Sequence, residues 1–336
     1  MRALLIIALL ALLVACRRET EDERGMEENP LFSLQLPVGF SFPSNPAENP
    51  LTDASVRLGK ALFFDTRLSR TNTISCASCH HVDRAFSDTV PLSVGVDGAT
   101  GMRNSPTLAN VAYHTSFFRD GGVPTLERQV IAPVHDEVEM DHNITLAAET
   151  LRDLEPYRSL SMKAYGRPLD PFVITRAIAS YERTLISGWS RYDRYLQGEA
   201  SAMTDAEVRG MQLFNSETLN CTACHGGFDL SDHDFHNVGQ YLQYADSGRA
   251  RITLRSQDNG KFKTPTLRNI ALTAPYMHNG SMATLEEVIE HFASGGLPHA
   301  NRDPEMRSFA LTSEERPDLI AFLNALTDDR SLDQVP

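Results

Sequence analysis

A chain of 336 residues, 41% apolar and 22% charged, is long enough for two hydrophobic cores and has the composition of a globular protein. A formal net charge of −13 repels nucleic acid, which is excluded as a partner; an acidic surface suits a basic soluble partner, or simply keeps the protein in solution.

Residues 2–15 carry one arginine and then an apolar run from Ala3 to Ala15, shorter than the roughly 18–20 residues a spanning helix needs. They read as a signal peptide (1–15). Leu13-Val14-Ala15-Cys16 resembles the lipobox of a bacterial lipoprotein, so Cys16 is expected to be lipidated, with an ordinary cleaved signal or an uncleaved anchor as the alternatives. This places the protein in the periplasm, touching the membrane only through its lipid. Residues 16–51, rich in charge, Pro and Asn, read as a tether and lead-in loop.

Ala54 to Phe64 has helical spacing and leads through the polar Asp65–Ser75 turn to Cys76-Ala77-Ser78-Cys79-His80. Residues 87–103, with three glycines, form a long loop. Phe172 to Ser187 again has helical spacing. Thr204-x-x-Glu207 is a capping box that opens the helix into Cys221-Thr222-Ala223-Cys224-His225. Thr284-x-x-Glu287 and Thr312-x-x-Glu315 have the same form, the latter opening a last helix through Leu326. The strand signal is weak throughout.

Two thiols three apart followed by an imidazole are the attachment sequence of a c-type haem: the cysteines form thioethers and the histidine ligates iron. Cys76, Cys79 and His80 thus propose one haem, and Cys221, Cys224 and His225 a second. A zinc site would place its pairs closer, usually about 15–20 residues apart, and would not explain the histidines; nothing around either pair reads as the βαβ unit of a thioredoxin-like fold.

The halves repeat each other. Gly59-Lys60-Ala61-Leu62-Phe63 is answered by Gly210-Met211-Gln212-Leu213-Phe214, and Pro106–Val130 aligns without a gap on Pro265–Ile289 at an offset of 159, with nine identities in 25 positions. The shared frame is Pro-Thr-Leu-x-Asn-x-Ala, a glycine (Gly121, Gly280) and Thr-Leu-Glu. Two modules of common ancestry are expected.

This pattern resembles the bacterial di-haem cytochrome c peroxidase family, MauG-like enzymes included, from about Thr52 to Thr327. The most specific stretches are Arg103-Asn104-Ser105-Pro106-Thr107-Leu108 and Phe262 through Ser281. The resemblance implies a mainly α fold of two cytochrome c-like domains: an N-terminal peroxidatic domain (52–190) and a C-terminal electron-transfer domain (191–336), with calcium between them. By position, Glu139 matches the catalytic glutamate, Gln129 the distal glutamine, and Pro133 a proline over the same haem face. Asn104 with the carbonyls of Thr273 and Pro275 would bind calcium, oxygen donors as a hard cation requires.

Three positions depart from the family. Val96, eight before Asn104, replaces a histidine that closes the first haem in many members, so that haem is expected to be open in the all-ferric enzyme. Arg119 replaces a tryptophan often found between the haems. Phe292 stands where the second haem's methionine or tyrosine ligand is expected; His291, His299, Met282 and Met306 are the substitutes, His299 first. Three functions follow: reduction of hydrogen peroxide with electrons from a soluble cytochrome c or copper protein, oxidation of Trp or Tyr in a partner protein, or electron carriage alone. A homodimer is compatible with all three.

Overall fold

The helix before the first Cys-x-x-Cys-His motif, α1 (Asp53–Phe63), opens with a reciprocal cap between Thr52 and Ser55 and buries Leu58, Leu62 and Phe63. The chain continues through α2 (Leu126–Gln129), α3 (Ile131–His135), α4 (Ile144–Leu151) and α5 (Tyr157–Tyr165) before α6 (Pro171–Glu182) returns across α1. Asp170 caps α6, with proline in its first turn. The crossing is close because Gly59 lacks a side chain: a Cβ there would lie 1.9 Å from the Ala177 carbonyl oxygen. These coordinates are a computed structural model that describes residues 29–335; the expected signal peptide and Cys16 lie outside the described residues.

The second half repeats the crossing. After α7 (Arg191–Leu196), the Thr204–Glu207 capping box opens α8 (Asp205–Phe214) as the sequence predicts. Then come β1 (Phe235–His236), α9 (Ala250–Thr253), β2 (Phe262–Lys263), α10 (Leu285–Ser294) and α11 (Glu315–Ala325). Helix α11 crosses α8 at Gly210, where a Cβ would lie 1.9 Å from the Asp318 carbonyl oxygen. Phe63 stands 5.2 Å from Tyr181 in one crossing, and Phe214 5.2 Å from Phe322 in the other. The repeated Gly-x-x-x-Phe is therefore a device for bringing two helices together. The antiparallel β1–β2 pair, Phe235 opposite Lys263, is the only named sheet among the described residues.

Two apolar cores result, one drawn mainly from residues 51–185 and one from 203–326. Two segments depart from expectation. Leu332 and Val335 join the first core, not the second, and Asp333 pairs with Lys60 at 3.1 Å. Residues 29–51 are more than a tether: Phe32 and Leu34 pack on the first core, and Phe40 stands edge-on to Phe228 at 4.7 Å. Their apolar side chains are too few and too irregular to announce a buried segment.

The 159-residue repeat is structural. Thr107 Oγ1 donates to the Ala85 carbonyl (2.5 Å) and Thr266 Oγ1 to that of Asp229 (2.6 Å). Asn110 and Asn269 are both left-handed, and their N–H groups donate to the carbonyls of Leu185 (2.8 Å), three residues past the end of α6, and Leu326 (3.0 Å), the residue that caps the last helix of the second module. The same repeat builds the seam between modules. Asn104 N–H donates to the His278 carbonyl (2.9 Å) and Lys263 N–H to that of Arg119 (2.7 Å), two bonds that exchange under the 159 offset.

Candidate haem sites

Each Cys-x-x-Cys-His motif forms one 3₁₀ turn, Cys76–Ser78 and Cys221–Ala223. His80 N–H donates to the Cys76 carbonyl (3.0 Å) and His225 N–H to that of Cys221 (2.9 Å), so imidazole and thiols leave the same turn. All four cysteines are free thiols. His80 Nδ1 lies 2.8 Å from the Phe86 carbonyl oxygen, and His225 Nδ1 lies 3.1 Å from that of Leu230. Such a contact fixes the ring and leaves Nε2 free for iron. Phe86 and Leu230 both have positive φ, which turns their carbonyls toward the rings. Burial, the largest cause, lowers both imidazoles and raises the Cys79 thiol to about 11. Free thiol pairs, an anchored neutral imidazole and, in the second module, a cavity walled by apolar side chains fit a covalent haem at each turn.

That cavity is lined by Cys221, Cys224, His225, Phe292 and Met306 among others. Phe292 thus lies on its wall, as the alignment places it. His299 does not: its Nδ1 accepts from Asn301 N–H at 3.0 Å and its ring stands edge-on to Tyr244 at 5.3 Å. His299 as sixth ligand thus has no support from the cavity lining. His291 is also away from the cavity, its Nε2 3.0 Å from the Val238 carbonyl oxygen. Of the substitutes named from sequence, Met306 alone lines the cavity.

In the first module, α2, α3 and the turn after them carry Gln129, Pro133 and Glu139 on one continuous segment. Gln129 and Pro133 are half-buried. Met140 N–H donates to the Pro133 carbonyl (3.1 Å), Glu139 N–H to that of Asp136 (3.0 Å), and buried Val96 donates its N–H to the Glu139 carbonyl (2.8 Å). Gly95 packs so closely here that a Cβ would fall 2.5 Å from the Glu139 carbonyl oxygen. Glu139 is exposed to solvent, while the protein around it, first, and Asp136, second, raise its carboxyl to about 7. Its charge contributes, as the smallest cause, to the raised thiols of Cys76 and Cys79. Sequence reading missed Glu182, a buried carboxyl raised to about 8 by burial and acting on Cys76; its place at the end of an apolar helix looked like an ordinary polar terminus.

Asn104, Thr273, Pro275 and Arg119 all line the second cavity. Arg119 Nη2, however, donates to Asn104 Oδ1 at 2.8 Å, and its Nε donates to the Asn104 carbonyl at 3.0 Å. The side-chain oxygen expected to hold calcium already holds a guanidinium, and the donor set does not fit the ion as expected.

The profile of the family described as di-haem cytochrome c peroxidase matches residues 53–201, and that of cytochrome c matches 207–327. The methylamine utilization protein MauG of Methylophilus methylotrophus is 36% identical over 313 residues, 90% of this chain and 92% of that protein. The cytochrome c551 peroxidase of Pseudomonas aeruginosa is 32% identical, covering 83% of this chain and 80% of that one. A crystal structure of a MauG-like protein associated with microbial copper homeostasis superposes with a TM-score of 0.86 at 37% identity, covering 91% of this chain and 98% of that one. The paired turns, the repeated crossings and these likenesses over nearly the whole chain make it a two-haem oxidoreductase of the di-haem cytochrome c peroxidase family, to which the MauG-like proteins belong.

Proposed function

We propose that this enzyme reduces hydrogen peroxide to water with electrons from a soluble periplasmic cytochrome c or copper protein. Cys76, Cys79 and His80 would hold the peroxide-reactive haem, and Cys221, Cys224 and His225 the electron-transfer haem. The two groups supply iron that exchanges single electrons and, in the first module, an iron coordination position for peroxide. The protein's share is proton movement. Glu139, fastened through its backbone to Val96, takes the proton from the near peroxide oxygen and delivers it to the far one; the Gln129 amide orients the peroxide, and Pro133 limits the space around it. Valine has no lone pair, so position 96 leaves the site open.

The observation that supports this reading is the Glu139 segment held by buried Val96, whose N–H donates to the Glu139 carbonyl at 2.8 Å, within the part of the chain that matches the di-haem peroxidase family. Glu139→Ala should lower peroxide turnover by about 100-fold or more, measured as oxidation of reduced cytochrome c by the holoenzyme. Unchanged turnover would remove Glu139 from the mechanism.

A second reading, oxidation of Trp or Tyr in a partner protein, is favoured by the higher identity to MauG proteins, 36% and 37%, than to the cytochrome c551 peroxidases, 32% and 33%. Peroxide-dependent consumption of reduced cytochrome c separates the two. Among the described residues no helix is long and apolar enough to cross a membrane; export and a lipid anchor at Cys16 complete the proposal. Calcium is left out of it because Arg119 stands at the expected ligand.

A further inference from the structure

We propose that the Arg119 guanidinium replaces the divalent cation expected at the module seam, so that this protein is assembled around cations of its own and needs no calcium. Asn104 is 4% exposed, and each of its polar atoms is in use. Its Oδ1 and carbonyl accept from Arg119, its Nδ2 donates to the Val90 carbonyl (3.2 Å), and its N–H donates to that of His278 (2.9 Å). A calcium ion takes six to eight oxygens, usually with carboxylates among them. Of the neighbouring carboxylates, Asp120 and Asp246 are already paired with Arg103, at 2.7 and 2.6 Å.

The other half of the seam provides an independent second observation. Under the 159 offset, Asn104, Thr273 and Pro275 correspond to Lys263, His114 and Ser116. There the Lys263 ammonium donates to the Ser116 carbonyl at 2.7 Å and lies 3.1 Å from His114 Nδ1. Both symmetry-related positions therefore hold a side-chain cation. A divalent ion added at Asn104 would have to displace the guanidinium and then face Arg119, Arg103 and Lys263 together, a repulsion its few neutral oxygens do not offset. A guanidinium is planar, permanently charged and able to reach two oxygens of one residue, as it does here.

The inference concerns assembly and stands whichever substrate is oxidised. Its test is the calcium content and thermal melting of the complete two-haem protein after gel filtration. Less than about 0.1 equivalent of calcium per chain, with a melting midpoint unmoved by millimolar calcium or by EGTA, is expected. About one retained equivalent, or a fall of several degrees on chelation, would overturn it. Arg119→Ala frees Asn104 Oδ1 and should make melting calcium-dependent, whereas Arg119→Lys should not; a folded R119A that ignores calcium would also contradict the assignment. If R119A does not fold, the metal content of the unaltered protein decides.

Discussion

Glu139 shows how a single side chain acquires a role that its sequence neighbourhood conceals. In Asp136-Glu137-Val138-Glu139 it looks like one acid of a solvated run, and only family position singles it out. The structure adds a physical feature: the turn after α3 holds Glu139 through the Val96 N–H, and surrounding protein raises its carboxyl to about 7. Peroxide must lose a proton to the carboxylate, so the rate of reaction with peroxide should rise with pH through about 7 and level off above it, and Glu139→Gln should remove that limb. Stability should run the other way. A carboxyl raised above its ordinary 4.5 binds its proton more tightly when folded, so its contribution to stability is lost as pH rises from about 4.5 through 7. Glu139→Gln should therefore flatten the decline of the melting midpoint over that window. Phe292 carries a second prediction at this scale. It lies on the wall of the cavity that His225 also lines, without a lone pair, so Phe292→Met should give the second haem the absorption of a methionine-ligated iron, while His299→Ala should leave its spectrum unchanged. A spectrum altered by H299A alone would return the ligand to His299.

Among the elements, the decisive pairs are α1 with α6 and α8 with α11. Their helical periodicity was legible, because Leu58, Leu62 and Phe63, like Phe322 and Leu323, recur on one face. The capping boxes at Thr204 and Thr284 fixed two helix starts to the residue. The meaning of Gly59 and Gly210 was not legible, since a repeated glycine marks a close approach without naming what approaches. Here it is a carbonyl, at Ala177 and at Asp318. Alanine at either position would force the helices apart, at about 3 kcal/mol. Each of Gly59→Ala and Gly210→Ala should lower the thermal midpoint of the holoprotein by several degrees. A change within about 1 °C would show that the crossings relax freely.

For the whole molecule, two modules meet through one repeated segment used twice, and this architecture was readable from paired haem motifs and a constant offset. What escaped the sequence depends on contacts between distant residues. Leu332 and Val335 return to the first core, and the alignment that identified Asn104 as a calcium ligand had no means of showing Arg119 reaching it from fifteen residues away. His299 illustrates the same point: a histidine in a loop has no direction until the loop is folded, and here its ring stands edge-on to Tyr244. The departures at Val96, Arg119 and Phe292 lie on or beside the two candidate sites, where family position was the only guide and the local chemistry differs from it.

The central proposal is that the first site reacts with peroxide without prior reduction, with Val96 offering iron no ligand and Glu139 moving the proton. Stopped-flow spectroscopy of the fully ferric holoprotein mixed with one equivalent of hydrogen peroxide tests it directly. Rapid loss of a high-spin haem signal, followed by its recovery as reduced cytochrome c is consumed, is the predicted result. No spectral change until an electron is supplied would mean that a ligand closes the first site, and no change even then would leave an electron carrier in place of an enzyme.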